Sequence, residues 1–204
     1  MKPVVVILTL SICFTAYLGD FIVFKSKFSN SQVFRAFADS AVHASIGFLS
    51  SLLFFSNEIR ISIHALVFNV IFCTILSSLI DIDHVIVARS FRWQDFTNLK
   101  QRGIFHCTSF WLVISAVLFT YSHLLKKSNI YVATWMLTLA YSSHHIRDAN
   151  RRGLWLYPFG HTPAFNKHLY IITSALLPNL FAFVYRNTIM SMFRHTTIDY
   201  KNIV

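Results

Sequence analysis

The chain has 204 residues, of which 55% are hydrophobic and only 13% charged, and its mean hydropathy is +0.54. Soluble globular chains carry about 25% charged residues, so this composition excludes a disordered chain, an ordinary soluble enzyme and a basic nucleic-acid-binding domain. The formal net charge of +10 comes from 18 Lys and Arg against 8 Asp and Glu, and the basic residues flank apolar runs, where they orient membrane spans and meet anionic lipid.

Six apolar runs follow in chain order. Run one covers 4–24, after Lys2 and Pro3. Its length and the absence of a clean small-x-small cleavage site read as a retained span. Asp20 near its end is costly against lipid, so it is expected to face protein or the interface. Run two covers 38–56 and opens on Asp39 and His43, which at i,i+4 share a helix face. An N-cap role for Asp39 is the alternative. Run three covers 62–80 and closes on Ile80-Asp81-Ile82-Asp83-His84, where Asp81 and His84 at i,i+3 point together. Run four covers 104–122, follows Arg102-Gly103 and carries His106 at its start. Run five covers 130–146 and ends with His144, His145 and Asp148, with His144 and Asp148 again i,i+4. Asp148 beside Arg151 and Arg152 also reads as part of a solvated charged loop. Run six covers 169–185.

Each run approaches the ~20 residues a helix needs to cross about 30 Å of hydrocarbon. The runs are continuously apolar, whereas barrel strands alternate. The predicted fold is therefore all-α: a multi-pass helical membrane protein of about six transmembrane helices, forming one transmembrane domain over 1–204. Cys13, Cys73 and Cys107 lie in or beside apolar runs without a CxxC pair. That pattern predicts neither a disulfide framework nor a thiolate zinc site.

Simple alternation of six spans places the start of run two, the end of run three, the start of run four and the end of run five on one side of the bilayer. Eleven of the 18 Lys and Arg residues fall in the 25–38, 81–103 and 147–168 loops of that side, which favours it as cytoplasmic. All three loops bring His or Asp to this side, and such donors suit zinc, manganese, iron or nickel. The expected ligands of a divalent metal ion, zinc or manganese, are His43, Asp81, His84, His106, His144 and Asp148. Asp39 and Asp83 are expected to orient those ligands or act as general bases. Arg102, Arg147 and Arg151 are expected to bind an anionic head group. His64, His123, His161, His168 and His195 lie outside the constellation, with His161 the nearest outsider.

These motifs resemble those of a bacterial family of LexA-regulated, membrane-bound, metal-dependent hydrolases. That family shows a His near an early span, then Pro-Asp-x-Asp-His, Arg-Gly-x-Thr-His-Ser and Ser-His-x-x-x-Asp followed by Gly and Pro. Here the elements are Asp39 to His43 with Gly47 after them, Ile80 to His84, Arg102 to Cys107, and Ser143-His144-His145-Ile146-Arg147-Asp148 followed by Gly153 and Pro158. Ile80 replaces the Pro, and Phe105 and Cys107 replace the Thr and Ser. The resemblance runs from about Asp20 to run six and implies a multi-pass helical protein with a hydrolase site.

The function expected is a metal-dependent hydrolase at one membrane face, acting on a lipid-linked phosphate or ester held in the bilayer. The alternative is a non-enzymatic membrane scaffold or a degenerate hydrolase relative. Transport ranks lower, because the ionisable groups sit at span ends rather than mid-span. No nucleic-acid partner is expected.

Overall fold

The structure is a computed structural model and describes residues 2–90, 92 and 102–188. Its long helices are α1 (Pro3–Lys25), α2 (Gln32–Ser56) and α3 (Ile63–Leu79), then α5 (Thr108–Leu124), α6 (Ser128–Arg152) and α7 (Lys167–Thr188). A short helix, α4 (Asp83–Ala88), follows α3 after a 3-10 turn at Ile80–Ile82, and a second 3-10 turn at Ile104–His106 precedes α5. A two-stranded antiparallel hairpin, β1 (Trp155–Leu156) and β2 (Gly160–His161), joins α6 to α7. Sheet is otherwise absent among the described residues, and the molecule is an all-α membrane protein.

Local chemistry sets the helix starts. Pro3 occupies the first turn of α1, where its missing N–H costs nothing. The Ser31 hydroxyl accepts from the Phe34 amide (3.3 Å) to cap α2, and Ser62 accepts from Ala65 (3.3 Å) to cap α3. The Ser31 cap corrects the alternative reading of Asp39: α2 begins well before residue 38, and Asp39 lies inside it.

Among the described residues, four stretches are long and apolar enough to cross a membrane: Pro3–Lys25, Gln32–Ser56, Ile63–Ala88 and Lys167–Thr188. α5 is apolar but shorter, with 17 residues. α6 is less apolar for a physical reason. It packs against α2, α3, α5 and α7, and a helix wrapped by protein needs no continuous lipid-facing surface. α6 also runs on to Arg152, so His144, His145 and Asp148 lie within the helix rather than at its end.

Two apolar clusters hold the bundle. Phe54, Trp135, Met136, Leu139 and Tyr185 form one. Ile12, Ala16, Val42, Ile46, Leu53 and Tyr170 form the other, between α1, α2 and α7. Ile7, Phe14, Ile71, Ile75, Val117 and Leu176 stay exposed, as lipid-facing side chains do. Gly47 lets α2 press on α3, since a Cβ there would stand 2.1 Å from the Ser77 hydroxyl. Asp20 faces protein, as expected: it is buried, takes a guanidinium N–H of Arg147 (3.3 Å) and accepts from the Tyr170 hydroxyl. Lys100, Arg194, His195 and Lys201 lie outside the described residues.

Candidate metal centre

Four side chains from three segments converge at one end of the bundle. Asp81 comes from the turn after α3, His106 from the turn before α5, and His144 and Asp148 from adjacent turns of α6. One donor atom from each lies within 4.8 Å of all the others. The Nε2 of His106 is 3.3 Å from Oδ1 of Asp81, 3.4 Å from Oδ2 of Asp148 and 3.4 Å from Nε2 of His144. The Nε2 of His144 is 3.5 Å from Oδ1 of Asp81 and 3.7 Å from Oδ2 of Asp148.

Those separations test whether a cation fits. Four N and O donors placed tetrahedrally about 2.0–2.2 Å from one ion stand roughly 3.3–3.6 Å apart. The five spacings from the two imidazoles match that range to about a tenth of an ångström. Helical spacing explains part of it, because residues four apart stack on one face.

Hydrogen bonds aim the two imidazoles. Nδ1–H of His144 donates to the Ser77 carbonyl (2.7 Å), and Nδ1–H of His106 donates to the Asp83 carboxylate, 3.0 Å from each oxygen. In both rings this leaves Nε2 facing the shared centre. A carboxylate behind a histidine fixes the tautomer and raises its basicity, as in metal sites generally. Asp83 is buried, and Gly103 makes room for it: a Cβ on Gly103 would stand 2.3 Å from Asp83 Oδ2.

The electrostatics also call for a cation. Asp20, Asp39 and Asp148 pair with the guanidinium groups of Arg147 and Arg151, whereas Asp81 and Asp83 meet only imidazoles. Burial works against a proton on His106. Hydrogen bonds to Asp148, Asp81 and Asp83 outweigh it and push the imidazolium up to about 11. The proton marks where positive charge is stabilised.

The remaining expected residues take other places. His43 stacks on His144 with ring centroids 3.7 Å apart. Its Nε2 accepts from Arg147 (2.9 Å) and stands 3.6 Å from Asp148 Oδ1, so it lies beside the four donors rather than among them. His84 groups with Asp83 and His106 instead, its ring stacked on His106 at 4.9 Å. Asp39 bridges Arg147 (2.6 Å) and Arg151 (3.2 Å). Arg147 is thus buried and ion-paired, and the expectation that it meets a ligand's head group is corrected. Arg151 is held by Asp39 and by Asp148 (2.6 Å). His161 lies on the hairpin, stacked on Trp155.

His145 lies outside the expected ligand set, and its role is one of position. Its Nε2–H donates to the Phe105 carbonyl (2.9 Å) and its Nδ1 accepts from the Thr108 hydroxyl (3.0 Å). It pins both sides of the turn that carries His106. The signal was the His144-His145 pair, whose neighbouring side chains cannot share a helix face. A narrow cleft, too tight to hold a water molecule, lies beside the centre, lined by Arg102, His106, Thr108, His145, Asp148, Gly153, Leu154 and Trp155.

Fold and site define an all-α integral membrane protein with a buried His/Asp cluster at one end of its helices. Over 151 residues the chain is 33% identical to transmembrane protein 267 of Bos taurus, covering 74% of this chain and 68% of that one. The Xenopus laevis protein of that name is 33% identical over 152 residues (72% of this chain, 66% of that one). The Danio rerio protein of that name is 35% identical over 150 residues (72% and 65%). The chain belongs to the transmembrane protein 267 family, and the match spans about two thirds of the relatives' length. No family model and no solved structure matches it.

Proposed function

We propose that the chain is a metal-dependent hydrolase of the membrane surface, acting on a lipid-linked phosphate or ester. The observation that carries this reading is the 3.3–3.7 Å spacing of His106 and His144 from each other and from Asp81 and Asp148, with both histidines oriented from behind. The donor set of two imidazoles and two carboxylates, without thiolate, suits zinc or manganese. A bound divalent ion supplies Lewis acidity to a phosphoryl or acyl oxygen and a nucleophile from water at neutral pH.

The chain's own residues do the rest. Asp83 and the Ser77 carbonyl hold the two imidazoles in register. Asp39 and Arg147 brace His43 against the face of His144. Asp39 and Asp83 do not line the cleft, so positioning suits them better than general-base work. His84 stands outside the four donors, half-buried with its ring stacked on His106, and like Asp83 it serves to position that ligand. Arg102 lines the cleft and is placed to receive an anionic group.

Turnover tests the proposal. The purified full chain, stripped with chelator and reloaded with zinc or manganese, is assayed on phosphatidic acid and on a lipid ester in mixed micelles. Hydrolysis that disappears with chelator and in His144→Ala is the expected result. A chain that keeps its metal and turns over no lipid phosphate or ester would point to the non-enzymatic scaffold reading.

A further inference from the structure

The segments that build the centre also carry exposed apolar side chains. Ile82 and Ile86 follow Asp81, and Ile104 lies two residues before His106; all three are exposed. The hairpin that begins just after α6 lends Leu154 and Trp155 to the cleft wall, while Tyr157 and Phe159 beyond them are 68% and 89% exposed. The hairpin is not loose. Leu154 and Thr162 exchange hydrogen bonds, Ser109 donates to the Tyr157 carbonyl (2.8 Å), and Cys107, next to His106, bridges to Trp155. A firmly held loop with two large aromatic side chains in the open has a surface to meet. In an integral membrane protein, aromatic tips beside basic residues belong at the headgroup level of the bilayer.

The cleft itself is cationic in one place. Arg147 and Arg151 are bound to carboxylates, whereas Arg102 makes no ion pair among the described residues and donates only to the Gly153 carbonyl (3.1 Å). A polar floor with one available guanidinium and an apolar rim fits a ligand with an anionic head and an apolar tail.

We infer that the 154–162 hairpin is a lip inserted in the host bilayer. Tyr157 and Phe159 enter the boundary between head groups and acyl chains, and Arg102 takes the phosphate of a lipid drawn sideways from that leaflet. The inference rests on the hydrolase reading for its substrate, but not for its test, which needs neither metal nor turnover.

The full chain is placed in nanodiscs of phosphatidylcholine brominated on the acyl chains, as the parent and as Phe159→Trp. The fluorescence added by the new indole is expected to be blue-shifted and quenched by the bromolipid, and insensitive to iodide. Quenching by iodide alone places the tip in water and overturns the inference; quenching by neither places it under protein and overturns it equally. In nanodiscs with one tenth phosphatidic acid, Arg102→Gln is expected to lower retention of that lipid roughly tenfold, the order of one charge-assisted contact. Inorganic phosphate is expected not to displace the lipid. Unchanged retention in Arg102→Gln, or displacement by free phosphate, contradicts capture from the leaflet. A chain that binds no metal after zinc or manganese loading yet passes these tests refutes the hydrolase reading and leaves the lip standing.

Discussion

Asp83→Asn is the sharpest perturbation of the centre. The substitution keeps size and shape, so the packing beside Gly103 is preserved. It removes the negative charge that faces His106 Nδ1–H, 3.0 Å from both carboxylate oxygens and almost wholly out of solvent. A neutral amide oxygen still accepts, but charge-assisted bonds are about twice as strong as neutral ones. Losing the difference costs about 1–3 kcal/mol. Carboxylates behind metal-ligating histidines are worth roughly 10–100-fold in metal affinity, which agrees. The assay is a competition titration of zinc between the detergent-solubilised chain and a chromophoric chelator, with helicity checked by circular dichroism. A dissociation constant raised at least tenfold is expected. A change below about twofold in a folded variant would refute the role given to Asp83, and with it the orientation argument for His106.

Three further outcomes follow from the same geometry. Gly103→Ala drives a Cβ to 2.3 Å from Asp83 Oδ2 and 2.4 Å from its Cγ; metal affinity should fall at least as far as in Asp83→Asn, and chelator titration checks it. Arg147→Ala leaves the buried Asp20 without its guanidinium and Asp39 with Arg151 alone, a loss of about 3–5 kcal/mol for a broken buried pair. It should lower the apparent melting temperature in detergent, and adding Asp20→Asn should recover part of the loss. Metal binding at neutral pH must displace the proton that the carboxylates hold on His106 up to about 11. Affinity therefore rises with pH across the neutral range, and calorimetry in buffers of different ionisation enthalpy should detect proton release on binding.

Much of this architecture is legible in the residues, and the exceptions have physical reasons. Span alternation alone puts Asp81, His106, His144 and Asp148 on one side, and i,i+4 spacing puts the last two on one helix face. The early start of α2 is masked by Lys25, Lys27 and Arg35, whose charges give 25–38 the look of a loop, while the Ser31 cap begins the helix there. The orientation of His144 by the Ser77 carbonyl was invisible, because every residue type offers the same backbone acceptor. Arg147 read as a head-group ligand because its two carboxylates, Asp20 and Asp39, are more than a hundred residues away in sequence and on different helices. The i,i+4 pairing with Asp39 makes His43 look like one of the donors. Only the fold reveals that Arg147 takes its Nε2.

The account stands or falls on one ion shared by four side chains. The direct measurement is the metal content and metal-edge X-ray absorption of the purified full chain, alone and as His106→Ala and His144→Ala. One divalent ion per chain is predicted, in a shell of two imidazoles and oxygen ligands without sulfur, and its loss from both variants. A wild-type chain with no stoichiometric metal after zinc or manganese loading, or one whose metal survives both substitutions, would contradict it.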